Sequence, residues 1–348
     1  MKIIYNKNLS GYGAKHRVVS IKKYCEKYSN SVQEIKLNIS VGQKIIAIVA
    51  ILLLSEVMLR KRNERKKSDR HPVIAIYWYS YIFSPFRVDV LDLVDSNELF
   101  YKSLYSVKPN VFSLLKLIIF RAVEQKLIKI TVCFVSGSRD TQHLRKQSTS
   151  QVYHVSNANL FQNFNEVEST KTFNDLGSSV GYIADFNYKL NLSSLNQIQF
   201  FIDIITNRKT KVILAGSGSD RTKHFCENNY VEKTGKIEDI YKEFYDRCGC
   251  ILLPTSIGTS VPNKYYEALN AGKIIFASDY FLSCLDLECA ENGLSKDDLG
   301  VYHISDVVWH SELLKVTDLK RVSRVRLLLI KAIAEQSMSN FNQAFTHC

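Results

Sequence analysis

Proline and glycine are scarce, at 5 and 14 in 348 residues. That excludes a collagen-like or Pro/Gly-rich low-complexity chain. No self-similarity occurs at a solenoid or propeller period. The eight cysteines form no CxxC pair, and no histidine lies at metal-ligand spacing from them. Cys248-Gly249-Cys250 is too tight for an ordinary zinc knuckle. Their spacing reads as reduced, mostly buried thiols of a cytoplasmic protein. The opening MKIIYNKNLSGYG has none of the charged, apolar and small-residue order of a secretory signal. No apolar run reaches the ~20 residues that a membrane-spanning helix needs.

What is present fits a globular chain of two domains at roughly 100–200 residues each. Apolar residues make up 46% and charged residues 23%, as in an ordinary packed protein. Lys and Arg number 46 against 34 Asp and Glu, a net charge of +12. Such an excess suits nucleic acid, anionic lipid or a phosphorylated substrate, and charge alone does not choose among them.

Along the chain, strand and helix patterns alternate. Residues 2–6 (KIIYN) form a β-rich run, followed by Ser10-Gly11-Tyr12-Gly13 and a helical spacing over Val18 to Tyr28. Strand, glycine loop and helix open a βαβ unit. Residues 73–83, 88–96 and 130–140 read as strand-like runs, and Phe112 to Val123 as a helix. The second half repeats this grammar more clearly. Strands are expected at 180–186, 211–220, 250–254 and 273–278, and helices at 194–205, 237–248 and 263–271. Short β-branched strands of this kind suit a parallel sheet covered on both faces. The polar segment 163–179 reads as the linker.

Residues 45–54 are wholly apolar, and Met58 and Leu59 extend the run. The block RKRNERKK follows at 60–67. Together they read as a helix lying on an anionic membrane surface, with a polybasic flank. A core helix with a solvated charged end is the competing reading.

The most informative stretch is PTSIGTSVPNKYYEALNAGKIIFAS, 254–278. A buried strand ends at Pro254, a loop with Gly258, Thr259 and Ser260 follows, and a helix carries Lys264 and Glu267. Small loop residues and a helix N-terminus suit an anion. Lys264 could neutralise a diphosphate, and Glu267 could accept two ribose hydroxyl hydrogen bonds. Gly272 would cap the helix. A Lys/Glu pair three apart is more often a solvated helix pair.

The run from Gly258 through Ser260, Val261, Lys264 and Glu267 to Gly272 resembles the donor-site signature of glycosyltransferase family 4, the group 1 transferases. It is most like the bacterial surface-polysaccharide branch. Three other stretches agree in order. Val180–Asn191 resembles that family's first strand and turn of the second domain. Val212–Gly218, with Gly216, resembles its strand followed by Gly-x-Gly. Thr234–Ile240, with Gly235, resembles its loop beside the nucleotide base. Ser10-Gly11 with Arg17 fits its N-terminal glycine loop. The departures are Thr259 where a glutamate is common, Ala184 and Ala158 where glycine is usual, and no Arg after the first strand, with Lys189 as a weak substitute.

The resemblance implies an α/β chain with two facing Rossmann-like domains (the GT-B fold) and a cleft between them. The expected domains are 1–170, on the acceptor side, and 171–330, on the nucleotide-sugar side, with 331–348 a C-terminal helix that could return to the first. It implies transfer of a sugar, hexosyl in type and with retention, from a nucleoside-diphosphate sugar to a lipid-linked or other saccharide acceptor. The enzyme would work from the cytoplasm, peripheral to the inner face of the membrane. The implied donor residues are Gly216, Gly235, Gly258, Thr259, Ser260, Val261, Lys264 and Glu267. Gly11, Gly13 and Arg17 are expected at the acceptor or cleft side, with Asp95, Ser96, Ser136 and Arg139 at strand ends. No general base is marked, no metal or other cofactor is expected, and no nucleic-acid partner. The rival readings are a sugar-nucleotide epimerase or hydrolase of the same fold, a basic nucleic-acid-binding protein, and a non-catalytic relative.

Overall fold

The computed structural model describes residues 1–9, 12–67, 71–147, 151–161, 179–223, 225, 228–258, 263–309 and 319–346. The expected linker at 163–179 lies almost wholly outside them. The described residues divide into two compact units. One holds residues up to 161, Gly258 and the chain from Lys331; the other holds 179–257 apart from the undescribed positions, 263–309 and 319–330.

The first unit contains β1 (Lys2–Asn6), α1 (Tyr12–Tyr28), β2 (Gln33–Leu37), α2 (Val41–Leu53), α3 (Glu56–Glu64), β3 (Val73–Ile76) and α4 (Trp78–Phe83). There follow β4 (Val90–Val94), α5 (Asn97–Val107), α6 (Val111–Ile130), β5 (Val132–Val135), α7 (Ser138–Arg145) and β6 (Val152–His154). Its six strands are all parallel, in the order β2-β1-β3-β4-β5-β6. The direction of winding reverses between β1 and β3, as in flavodoxin-like sheets.

Two expectations change here. The apolar run 45–59 is not one helix. Ser55 accepts from Met58 N at 3.2 Å and starts α3 as a new N-cap. The run 73–83 is a strand only to Ile76. Tyr77 has φ +69°, and α4 follows with five of its six residues buried. An unbroken aromatic and β-branched run has no period that separates a buried strand from a buried helix.

The second unit contains β7 (Val180–Ile183), α8 (Lys189–Asn207), β8 (Val212–Ala215), β9 (Val231–Gly235), α9 (Ile240–Glu243) and β10 (Cys250–Leu253). Then come α10 (Asn263–Asn270), β11 (Ile274–Ala277), α11 (Asp279–Glu291), β12 (Val301–His303) and, to Ile330, the start of α12 (Leu319–Thr346). The sheet is again six parallel strands, β12-β11-β10-β7-β8-β9. This is the doubly wound Rossmann order, with its reversal between β7 and β10. The helix expected at 237–248 shrinks to the single turn α9. Phe244, at φ −128° and ψ −63°, leaves the helix and is fully buried. A Cβ added to Gly181 would lie 2.7 Å from its ring. That close approach outweighs local helix preference.

From Lys331 the last helix belongs to the first unit. There Phe341 stacks on Tyr24 at 5.6 Å, and Asn340 Nδ2 donates to the His154 carbonyl at 2.8 Å. The six cysteines with a described state are free and buried. Among the described residues no helix is long and apolar enough to cross a membrane.

Candidate donor site at the sheet reversal of the second unit

In a doubly wound sheet, ligands bind beyond the carboxyl ends of the strands, where the winding reverses. Here that point lies between β7 and β10, and α10 follows β10. The chain leaves β10 through buried Pro254 and half-buried Thr255, Ser256 and Gly258. Thr259, Ser260 and Val261 lie outside the described residues.

Tertiary packing holds α10. Tyr265 packs on Phe281 with centroids 5.0 Å apart, and Tyr266 donates to Glu288 at 2.9 Å. The Tyr245 hydroxyl lies 3.3 Å from the Lys264 carbonyl and 3.4 Å from Glu267 Oε2. The helix ends as expected. Gly272 is left-handed at φ +69°, Lys273 N bonds the Ala268 carbonyl and Gly272 N that of Leu269. This is a complete Schellman motif.

Lys264 lies on the first turn of α10, with Nζ 5.5 Å from the centre of the Tyr182 ring on β7. No hydrogen-bond acceptor or carboxylate partner reaches that nitrogen among the described residues. Desolvation pulls its pKa down to about 8, against a smaller upward pull from Glu267. A poorly solvated ammonium over a ring face, with Glu267 one turn on, is suited to meet an anion. Glu267 is 3% exposed. The two residues are thus far from a solvated helix pair.

The glycine turn after β8 has a definite cause. Gly216 has φ +112°, and a Cβ there would meet the Ala184 carbonyl oxygen at 2.2 Å. Gly216 N donates to the Gly235 carbonyl, and Gly235 N donates to Ser219 Oγ at 2.9 Å. The ends of β7, β8 and β9 are therefore knit together. Next to them is a group the sequence did not suggest. Arg221 is exposed, and its Nη2 donates to Asn187 Oδ1 at 3.2 Å in the turn after β7. It is an exposed cation beside the turn that leads to Lys189, the expected substitute, and no motif announced it.

In the first unit the expectations fare differently. Gly11 lies outside the described residues. Gly13 is not in a loop but in the first turn of α1. Arg17 was expected to face a cleft, and this is corrected. It is 0% exposed, with Nε and Nη2 each 2.8 Å from the two Asp92 oxygens. Its Nη1 donates to the Val155 carbonyl and to Asn157 Oδ1. Its donors serve to clamp α1 onto β4 and the segment after β6.

Ser96 is the buried N-cap of α5, accepting from Leu99 N at 3.1 Å and donating to Glu124 at 2.7 Å. Burial raises the Glu124 pKa to about 7. Asp95 is half-buried and accepts from Ser136 Oγ at 2.6 Å. It follows Val94, whose φ of +69° and the Asp95 N to Leu93 O bond of 2.9 Å make a strained γ-turn. Arg139 lies in α7, not in a strand-end turn. His154 is 5% exposed, with Nε2 3.1 Å from the Ser136 carbonyl and Nδ1 3.3 Å from Ser138 Oγ. A carbonyl only accepts, so Nε2 carries the proton and the ring is held structurally.

No protein-family model matches the chain, and no curated protein sequence matches it. Solved structures do. HepE of Anabaena, in complex with UDP-glucose, superposes with a TM-score of 0.57 at 10% identity, covering 100% of this chain and 99% of that one. A glycosyltransferase of Rickettsia africae gives 0.53 at 12%, covering 99% and 98%. A Listeria monocytogenes protein described as a UDP-N-acetylglucosamine 2-epimerase gives 0.50 at 10%, covering 94% and 90%. At these identities the likeness is one of fold. The chain has the two-domain α/β GT-B architecture.

Proposed function

We propose that this chain is a glycosyltransferase that takes its sugar from a nucleoside-diphosphate donor bound at the sheet reversal of the second unit. The observation that carries the reading is Lys264. It stands at the start of α10, poorly solvated and over a tyrosine ring, at the point where Rossmann sheets bind nucleotides. A diphosphate placed there meets this ammonium and the positive end of the helix. Glu267, one turn on, accepts ribose hydroxyls. HepE, which carries UDP-glucose in its complex, shares the fold from end to end.

The chemistry follows from the charge. When the bond between sugar and diphosphate breaks, negative charge grows on the leaving oxygen. Preplaced donors and a cation stabilise that charge more than the ground state. The acceptor hydroxyl attacks the anomeric carbon as the bond to the diphosphate breaks, and its proton passes to the departing diphosphate oxygen, which leaves with the nucleotide. The reading invokes no metal. Its finer terms are a hexosyl donor, retention, a lipid-linked saccharide acceptor of surface-polysaccharide synthesis, and action at the inner face of the membrane.

An epimerase of the same architecture is the second reading, favoured by the fold likeness to the Listeria protein. Incubation with nucleoside-diphosphate sugars, with and without membrane-extracted lipid-linked saccharides, separates the two. A transferase releases nucleoside diphosphate in proportion to sugar added to the acceptor. Conversion of the donor sugar without an acceptor would instead establish the epimerase.

A further inference from the structure

Helix α2 is apolar on all sides, a pattern usual for a helix buried all round. Its inner face, with Ala47 and Ile51, packs into the first unit. Its other face does not. Val41, Ile45, Val49 and Leu53 form a ridge at four-residue spacing, and all are exposed, Leu53 by 79%.

The next helix over has the same property. α2 packs on α6, and Lys126 of α6 donates to the carbonyls of Ile51, Leu52 and Leu54, fixing the two helix ends side by side. Over its first two turns α6 exposes Val111, Phe112, Leu115 and Ile118, Phe112 by 77%. Both helices run back across one parallel sheet, so their N-terminal halves lie toward the same end of it. Lys44 of α2 lies over the Tyr79 ring, Tyr79 packs on Trp78, and Trp78 packs on Phe120 of α6, so one aromatic layer underlies both helices.

Basic residues stand at both ends of these helices: Lys44, Lys108 and Lys116 in their N-terminal parts or just before them, and the 60–67 block beyond their C-terminal ends, where Arg60 donates to the Lys129 carbonyl. Residues 38–67 and 99–123 carry eleven lysines and arginines and only two glutamates, Glu56 and Glu64. The bounding Glu98 and Glu124 are buried, Glu98 3.7 Å from Arg121, so the exposed balance of these segments is basic. Lys66 is committed inward, its Nζ 2.6 Å from the Tyr81 carbonyl, but Arg60, Lys61, Arg62, Arg65 and Lys67 are exposed.

We propose that α2 and the start of α6 form a two-helix platform that docks on an anionic bilayer, aliphatic ridges entering the headgroup–acyl boundary and the basic residues meeting lipid phosphates. A second copy of this chain is a poor occupant, because a two-fold interface would set like charge against like. A nucleic acid complements the charge but leaves the aliphatic ridges wet. An anionic bilayer satisfies both at once. The platform does not depend on the sugar-transfer reading: a chain that bound vesicles and no nucleotide would keep it.

The test is flotation of the full chain with phosphatidylcholine vesicles and with vesicles containing phosphatidylglycerol, at low and high salt. Wild type is expected to float with the anionic vesicles and less so in high salt. The variant V111S/F112S/L115S/I118S retains the whole 60–67 block and changes only exposed positions. It should melt like wild type and partition roughly tenfold more weakly or worse. Phe200→Ser, at an exposed position of the second unit, should partition like wild type. Flotation of the quadruple variant equal to wild type would remove α6 from the surface. A wild type that ignores anionic vesicles but dimerises through these residues by light scattering would overturn the proposal in favour of self-association.

Discussion

Arg17 and Asp92 meet in a two-pronged ion pair, 2.8 Å at each contact, with neither side chain exposed. Two of the five guanidinium N–H groups, on Nε and Nη2, make this fork and tie α1 to β4. Removing one partner leaves the other charge buried without its counter-ion. Asp92→Asn is expected to lower stability by roughly 3–5 kcal/mol in urea denaturation. The double change Arg17→Met with Asp92→Leu should recover much of that loss, since both charges then leave together. A single variant as stable as wild type would contradict the clamp.

Lys264 has the opposite character, a lysine that the folded protein solvates poorly. Its folded pKa, about 8, is below the ordinary lysine value of 10.5. Below about pH 8 it is charged in both folded and unfolded chains, and the full penalty for burying it applies. Between about 8 and 10.5 the folded form sheds the proton first, so stability rises with pH and the penalty disappears. Lys264→Met should therefore stabilise the ligand-free protein near pH 7 by roughly 1–2 kcal/mol, after allowance for partial solvent contact. The gain should vanish toward pH 10.5. Thermal melts of both proteins across that range measure it. A variant less stable than wild type at pH 7 would make Lys264 a structural residue.

Glu267 tests the other half of the site. Glu267→Gln keeps the shape and an acceptor for the Tyr245 hydroxyl. Stability should change by less than about 1 kcal/mol, while the loss of a charged acceptor for ribose should weaken nucleotide binding by roughly tenfold. Calorimetric titration beside a thermal melt reads both. A large drop in melting temperature with unchanged affinity would place Glu267 in the packing of α10 alone.

Much of the second unit was legible in the sequence because its strands are short apolar runs bounded by Gly, Pro or polar turns. β7, β8, β10 and β11 all fall inside the expected stretches, and Gly272 caps α10 as its position suggested. The failures occurred where tertiary contacts override local pattern. Phe244 ends α9 early because it fills the space beside Gly181. Ser55 divides an apolar run that has no internal period. Arg17 looked like a surface cation because the Asp92 that buries it is 75 residues away. Arg221 was missed because its place near Asn187 depends on two turns meeting, which no single motif encodes. The apolar face of α6 was invisible for a similar reason. Its residues read as an ordinary helix, and only the packing shows which side lacks a neighbour.

The central claim is that the second unit binds a nucleoside diphosphate through Lys264. The most direct measurement is calorimetric titration of wild type and Lys264→Met with a panel of nucleoside diphosphates at pH 7 and pH 9. Wild type should bind at least one of them at pH 7, and more weakly at pH 9, where the free lysine has largely lost its proton. Lys264→Met should bind that nucleotide more weakly by roughly 1.5–3 kcal/mol, with little dependence on pH. Equal affinity in the two proteins at both pH values, or no binding of any nucleoside diphosphate by wild type, would contradict the account.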